Sequence, residues 1–153
     1  MGTFALTSSG FTEGSAIPKK YACPSDTSPD LSWTPPPSSA ASYAVVLTDE
    51  SNNLDHWVIW DVPGASNSLP EGIQQVANPP APAGAKQAKS FDGVTFGYRG
   101  PCPGNQHTYR FELYAESVGT LPNVTTASSI AAVITELEKT KIATATLTGT
   151  YTP

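Results

Sequence analysis

The chain has 153 residues, 39% of them hydrophobic, and a formal net charge of −5, enough for one globular domain with a buried core. Its 8 Lys and Arg are scattered, with Lys19-Lys20 the densest group, which argues against a surface built to neutralise phosphate backbones or to adsorb to anionic membranes. No apolar run reaches membrane-spanning length, and 15 prolines with 12 glycines point to many turns and few long helices.

Phe4 to Trp33 holds short apolar pieces broken by Gly10, Gly14, Pro18, Pro24 and Pro29, so its strands are expected to be brief. Thr34-Pro35-Pro36-Pro37-Ser38-Ser39 reads as a stiff loop. Tyr43 to Thr48 is apolar on both faces, the pattern of a central strand, and it delivers Asp49 into a polar loop over 50–55. His56 to Val62 predicts a second buried strand with His56, Val58, Trp60 and Val62 on one face, ended by Pro63-Gly64. Residues 67–92 show no sustained period and predict a long irregular loop. The cleanest alternation follows: His107, Tyr109, Phe111 and Leu113 point one way, and Thr108, Arg110, Glu112 and Tyr114 the other. Ser128 or Ser129 is placed to cap a helix through Thr140, with Ile130, Val133, Ile134 and Leu137 as its apolar stripe. Residues 142–151 return to a Thr-rich strand. The elements predict a single domain over residues 1–153, a mainly-β sandwich with a late amphipathic helix.

Chemistry concentrates at the two histidines. His56 stands seven residues after Asp49, and His107 leaves a Gly/Pro loop two residues before Tyr109. Imidazoles beside a carboxylate and a phenol suggest a polar site; the competing reading is two core histidines satisfied by buried polar partners. Asp49, His56 and His107 also match the two-His, one-carboxylate set of some metal sites, but nothing in their spacing selects a metal over an anion, and none is expected. No Gly-x-Ser-x-Gly elbow nominates a serine nucleophile. Cys102 is near enough to His107 for a thiolate pair, although its Pro-Cys-Pro setting favours a rigid loop or a disulfide anchor. Trp33, Trp57 and Trp60 have apolar neighbours and read as core or pocket wall.

Cys23 and Cys102 form neither a CxxC pair nor a zinc ribbon. In an exported chain they could make one long-range disulfide; in a cytosolic chain they would be free thiols. The low charged fraction of 14% and the sole methionine at Met1 favour a periplasmic or secreted protein whose signal has been trimmed, against a natural cytosolic start. The sequon Asn123-Val124-Thr125 matters only in a eukaryotic secretory host.

The blocks Ile17-Pro18-x-x-Tyr21-x-Cys23, Ser28-Pro29-x-Leu31-x-Trp33, Thr48-Asp49, His56-Trp57-Val58, Leu69-Pro70-Glu71-Gly72, Tyr98-x-Gly100-Pro101-Cys102-Pro103, His107-x-Tyr109-x-Phe111-x-Leu113-Tyr114-Ala115 and Gly149-Thr150-Tyr151 occur in that order. Together they resemble the phosphatidylethanolamine-binding proteins, in the bacterial YbhB/YbcL-like, Raf-kinase-inhibitor-like branch. The resemblance implies a Greek-key β-sandwich with a small anion pocket formed by Asp49, His56, His107 and Tyr109, and with Gly100-Pro101 on its rim. Two departures stand out. The family's Asp-Pro-Asp-x-Pro stretch is reduced to Asp49-Glu50-Ser51-Asn52, and its Gly-x-His-Arg signature becomes Asn105-Gln106-His107-Thr108. Arg110 lies on the Glu112 face and cannot replace the missing arginine, so a more open and less cationic pocket is expected. Asp49 then either orients an imidazole and keeps it protonated or receives the ammonium of a zwitterion.

The expected function is binding, without catalysis or cofactor, of a small phosphorylated or carboxylated ligand such as a phosphoethanolamine head group. A partner protein at the pocket rim and the 79–92 loop, as for a kinase or protease inhibitor, is the expected regulatory variant. The alternative is an enzyme using the same His/Asp pocket for hydrolysis or cyclisation.

Overall fold

In the computed structural model, which describes residues 4–36 and 38–153, the doubly apolar run around Val45 is the middle strand of the larger of two antiparallel sheets. Pro37, within the expected stiff loop, and the Met1 start lie outside the described residues. In chain order the elements are β1 (Leu6–Thr7), a 3₁₀ turn (Lys19–Tyr21), β2 (Leu31–Trp33), β3 (Ser42–Asp49), β4 (Leu54–Pro63), β5 (Ser68–Leu69), β6 (Lys86–Gln87), β7 (His107–Glu116), α1 (Ile130–Thr140) and β8 (Lys141–Tyr151). The large sheet runs β6-β4-β3-β7-β8 and the small one β1-β2-β5. After the β3–β4 hairpin the chain crosses to the small sheet and returns as β7 beside β3, a Greek-key return. The fold is mainly β, as expected.

Both faces of β3 are buried because each has its own cover. Val45 and Leu47 join Phe111, Leu113, Trp57 and, from the small sheet, Leu31 and Leu69 in the core between the sheets. Ala44 and Val46 face the other way, with Val58, Trp60 and Tyr114 under the helix residues Ile130, Val133 and Leu137. Ser129 caps α1 with its side chain, which accepts from the Ala132 N–H at 3.1 Å. Such a cap stabilises a helix by about 1 kcal/mol. The predicted stripe is right except that Glu136 is also buried, its carboxylate held by Lys139 and Asn123. The outer edge of β8 is shielded near its end by the 14–17 segment, whose Gly14 and Ile17 amides donate to the Thr148 and Thr150 carbonyls. Gly149 permits that approach: a Cβ there would stand 3.0 Å from the Ser15 carbonyl and 2.8 Å from Ile17.

Two sequence expectations change. Residues 67–92 are not wholly irregular, since β5 and β6 form inside them; two-residue strands are too short to register as a period. More consequential is the parity of β4. Leu47 pairs with Trp57 and Thr48 with Asp55, which leaves His56 as an extra residue. At the other end Tyr43 pairs with Val62 and Val45 with Ile59, which places Trp60 and Asp61 together opposite Ala44. Asp61 takes a left-handed φ of 56° there, and its buried carboxylate accepts from Lys86 Nζ at 2.6 Å and the Leu121 N–H at 2.8 Å. Each bulge inverts the face of what lies beyond it. His56 therefore does not share a face with Val58 and Trp60. It turns to the inter-sheet side, edge-on to Tyr109 with ring centroids 5.6 Å apart.

Candidate ligand-binding site

Three strand ends bring the site together. β3 stops at Asp49, β7 starts at His107, and the β4 bulge carries His56. Antiparallel pairing sets Asp49 opposite Tyr109. All four side chains line one cavity of about 310 Å³.

The hydrogen bonds assign a role to each ring nitrogen. His56 Nδ1 lies 2.9 Å from the Arg99 carbonyl. A carbonyl only accepts, so Nδ1 carries the hydrogen and Nε2 is left for the cavity. Burial lowers the His56 pKa, against the opposing pull of the Arg99 carbonyl and the Asp49 charge, so the neutral ring dominates near neutral pH. His107 Nδ1 donates to Asp49 Oδ2 at 2.6 Å, and its Nε2 is likewise the uncommitted nitrogen. Asp49, only 2% exposed, accepts on its other oxygen from the Ser51 N–H at 2.9 Å. Each of its oxygens accepts one hydrogen bond inside the protein, the arrangement of an orienting carboxylate.

Tyr109 is the exception to this completeness. Its ring is fully buried, and its hydroxyl lies beside Asp49 and the Cys102 backbone without a well-formed hydrogen bond to any described residue. Burial first, and the adjoining Asp49 charge second, raise its pKa, so the phenol stays a neutral O–H donor. An unsatisfied buried hydroxyl costs about 1–3 kcal/mol. Such a donor is available to a group in the cavity.

Arg99 and Phe91 belong to the site although the sequence did not nominate them. Arg99 lines the cavity, with Nη1 3.0 Å from Asp92 and Nε 3.6 Å from Asp26. An arginine thus reaches the wall from the loop before β7, with two carboxylates balancing its charge. Phe91 comes from the stretch read as structureless loop and packs 4.8 Å, ring to ring, on His56.

Arg110 pairs with Glu50 and Glu112, away from His107, as strand parity required. The rim, however, is made by Cys102 and Pro103 and not by Gly100 and Pro101. Those two pack inward: the Gly100 N–H donates to Asp26 at 2.8 Å, and the Pro101 carbonyl accepts from the Cys23 N–H at 2.9 Å. Gly100 still serves the site from behind, its carbonyl adjoining the His56 ring. Cys102 is disulfide-bonded to Cys23, which removes it as a thiolate nucleophile. Closing so long a loop stabilises a fold by about 4 kcal/mol in the chain-entropy model. Among the described residues, no group of three or more His, Cys, Asp or Glu is placed to hold a metal ion, and no helix is long and apolar enough to cross a membrane.

Comparison with known proteins places this geometry. The profile of the family described as phosphatidylethanolamine-binding protein matches residues 7–152. A UPF0098 protein of Methanothermobacter thermautotrophicus is 37% identical over 115 residues, 72% of this chain and 74% of the relative. A UPF0098 protein of Chlamydia muridarum is 35% identical, with 95% of this chain and 97% of the relative aligned. Among solved structures, Escherichia coli YbcL, described as a new member of the mammalian PEBP family, superposes with a TM-score of 0.89 at 28% identity and 99% coverage of each chain. A PEBP homologue from Chlamydia trachomatis superposes at 0.83 with 30% identity, covering 100% of this chain and 99% of the other. With the family profile spanning nearly the whole sequence and the fold matching throughout, the chain belongs to the phosphatidylethanolamine-binding protein family.

Proposed function

We propose that this chain binds a small phosphorylated or carboxylated ligand through the His56–His107–Tyr109 cavity and does no chemistry on it. The observation that carries the reading is the Tyr109 hydroxyl, without a well-formed hydrogen bond to any described residue, in the same 310 Å³ cavity as two imidazoles whose Nδ1 atoms are already committed. One anionic oxygen cluster would accept from the phenol and, where the rings are protonated, from both Nε2–H groups, while a neutral ring would accept from a protonated ligand oxygen. For a zwitterion such as O-phosphoethanolamine the phosphate takes this position. The ammonium then lies toward the mouth, since Asp49 is only 2% exposed and is already bonded to His107 and Ser51.

The Asp49–His107 pair favours a second reading, since a carboxylate-oriented imidazole is also the form of a general base. The cavity wall offers that base no serine or free thiol to activate, so any reaction would have to use the ligand's own nucleophile or a water. A regulatory role, with the rim presented to a kinase or protease, fits the same site and rests on family likeness alone.

Isothermal titration with inorganic phosphate and O-phosphoethanolamine tests the binding reading. His56→Asn and His107→Asn should each weaken affinity by roughly 10- to 100-fold, the equivalent of one charge-assisted hydrogen bond. Assays for phosphomonoester cleavage should show no turnover. Equal affinity in both variants and the parent would sink the assignment, and turnover lost in His107→Asn would replace it with the enzyme reading.

A further inference from the structure

A larger cavity adjoins the site. It measures about 550 Å³ and shares Leu54 and Phe91 with the histidine cavity. Phe91 stands between the two: its ring packs on His56, yet the residue is 44% exposed, and Val94 three positions on is 75% exposed. Exposed large apolar groups beside a cavity mark a surface that gains from being covered. Ala127 and Ile130, before and at the start of α1, line this larger cavity together with Ser128, Ser129 and the opposite charges Lys89 and Asp55. One charge of each sign favours no second ion.

The Phe91 wall is also fixed in place. Ser90 Oγ donates to the His56 carbonyl, and the Ser90 N–H donates to the Thr95 carbonyl at 2.8 Å. Asp92 accepts from the Val94 and Thr95 N–H groups, both at 2.9 Å. The Arg99 guanidinium, tied to Asp92, lies 5.9 Å over the Phe91 ring. A rigid, half-open aromatic wall is a preformed contact surface, which a ligand covers without first ordering a loop.

Resting on the anion reading of the site, we propose that the ligand is a small amphiphile: an anionic group seated between His56 and His107, and an apolar body laid across Phe91 into this second compartment. The compartment is of a size that takes drug-like molecules, which suits one short chain or ring and not a two-chain lipid held in a bilayer. Phe91 is then the residue that selects ligands carrying an apolar group next to the anion.

The test is calorimetric titration with inorganic, ethyl, butyl and hexyl phosphate. Each methylene buried should tighten binding about three- to fourfold, until the compartment is full. Ala127→Trp changes an exposed residue outside the histidine cavity; it should leave inorganic phosphate binding unchanged and abolish the chain-length gain. Affinity that stays flat from ethyl to hexyl phosphate overturns this proposal and leaves the anion site standing. No binding by any member of the series overturns both. A chain-length gain that survives intact in a folded Ala127→Trp protein puts the body elsewhere and overturns the compartment. Tighter binding to equimolar phosphatidylcholine–phosphatidic acid vesicles than to hexyl phosphate overturns the small-ligand class.

Discussion

Tyr109 separates stability from function most cleanly. Its hydroxyl is buried without a well-formed hydrogen bond to any described residue, so Tyr109→Phe removes a desolvated donor that contributes little to the fold. The variant should be as stable as the parent or more so by up to about 1 kcal/mol, while its affinity for phosphate falls. Urea unfolding paired with phosphate titration measures both; a large loss of stability would show that the hydroxyl has a structural partner after all. Legibility at this scale was uneven. His107 and Tyr109 were readable because strand alternation points them inward. Arg99 was not, since its guanidinium reaches the cavity through ion pairs with Asp26 and Asp92, 73 and 7 positions away, that no local pattern encodes.

At the scale of elements, the bulges in β4 show what periodicity leaves out. Strict alternation put His56 with Val58 and Trp60, and only the inserted residue at the Thr48–Asp55 step turns it toward Tyr109. Family resemblance supplied the right neighbour where the period did not. Two buried titratable groups on β4 and β7 make opposite contributions to stability in acid. His56 has a lowered pKa, chiefly from burial, so below about pH 6.5 the unfolded chain takes up the proton first and stability falls with pH. Glu116, at the end of β7, has its pKa raised to about 7 by burial, against the Thr140 hydroxyl it accepts from and with Glu138 and Lys141 nearby. It binds a proton more readily folded than unfolded, so its contribution is full below about pH 4.5 and is lost as pH rises to about 7. Urea midpoints between pH 4.5 and 8 should therefore show Glu116→Gln gaining stability on the neutral side. His56→Asn should lose the parent's acid-side decline. Parallel profiles for the parent and both variants would contradict these assignments.

For the whole molecule, the family blocks that are distant in sequence prove to be one scaffold around the cavity. Tyr98 donates its hydroxyl to the Tyr21 carbonyl at 2.6 Å, Tyr21 donates to Glu71 at 2.7 Å, and Cys23 is bonded to Cys102. The order of the blocks was legible in the sequence; their mutual bonding, the Phe91 wall and the rim at Cys102 and Pro103 were not, because each depends on long-range closure. That closure converges on the two histidines. With only His56 and His107 in the chain, imidazole NMR signals recorded during a phosphate titration report the site without ambiguity. Both rings should shift together along one saturation curve, and Asp49→Asn should weaken that curve by freeing the His107 ring. If neither ring moves, or one moves while the other stays fixed, the two histidines do not share an anion site and the central claim fails.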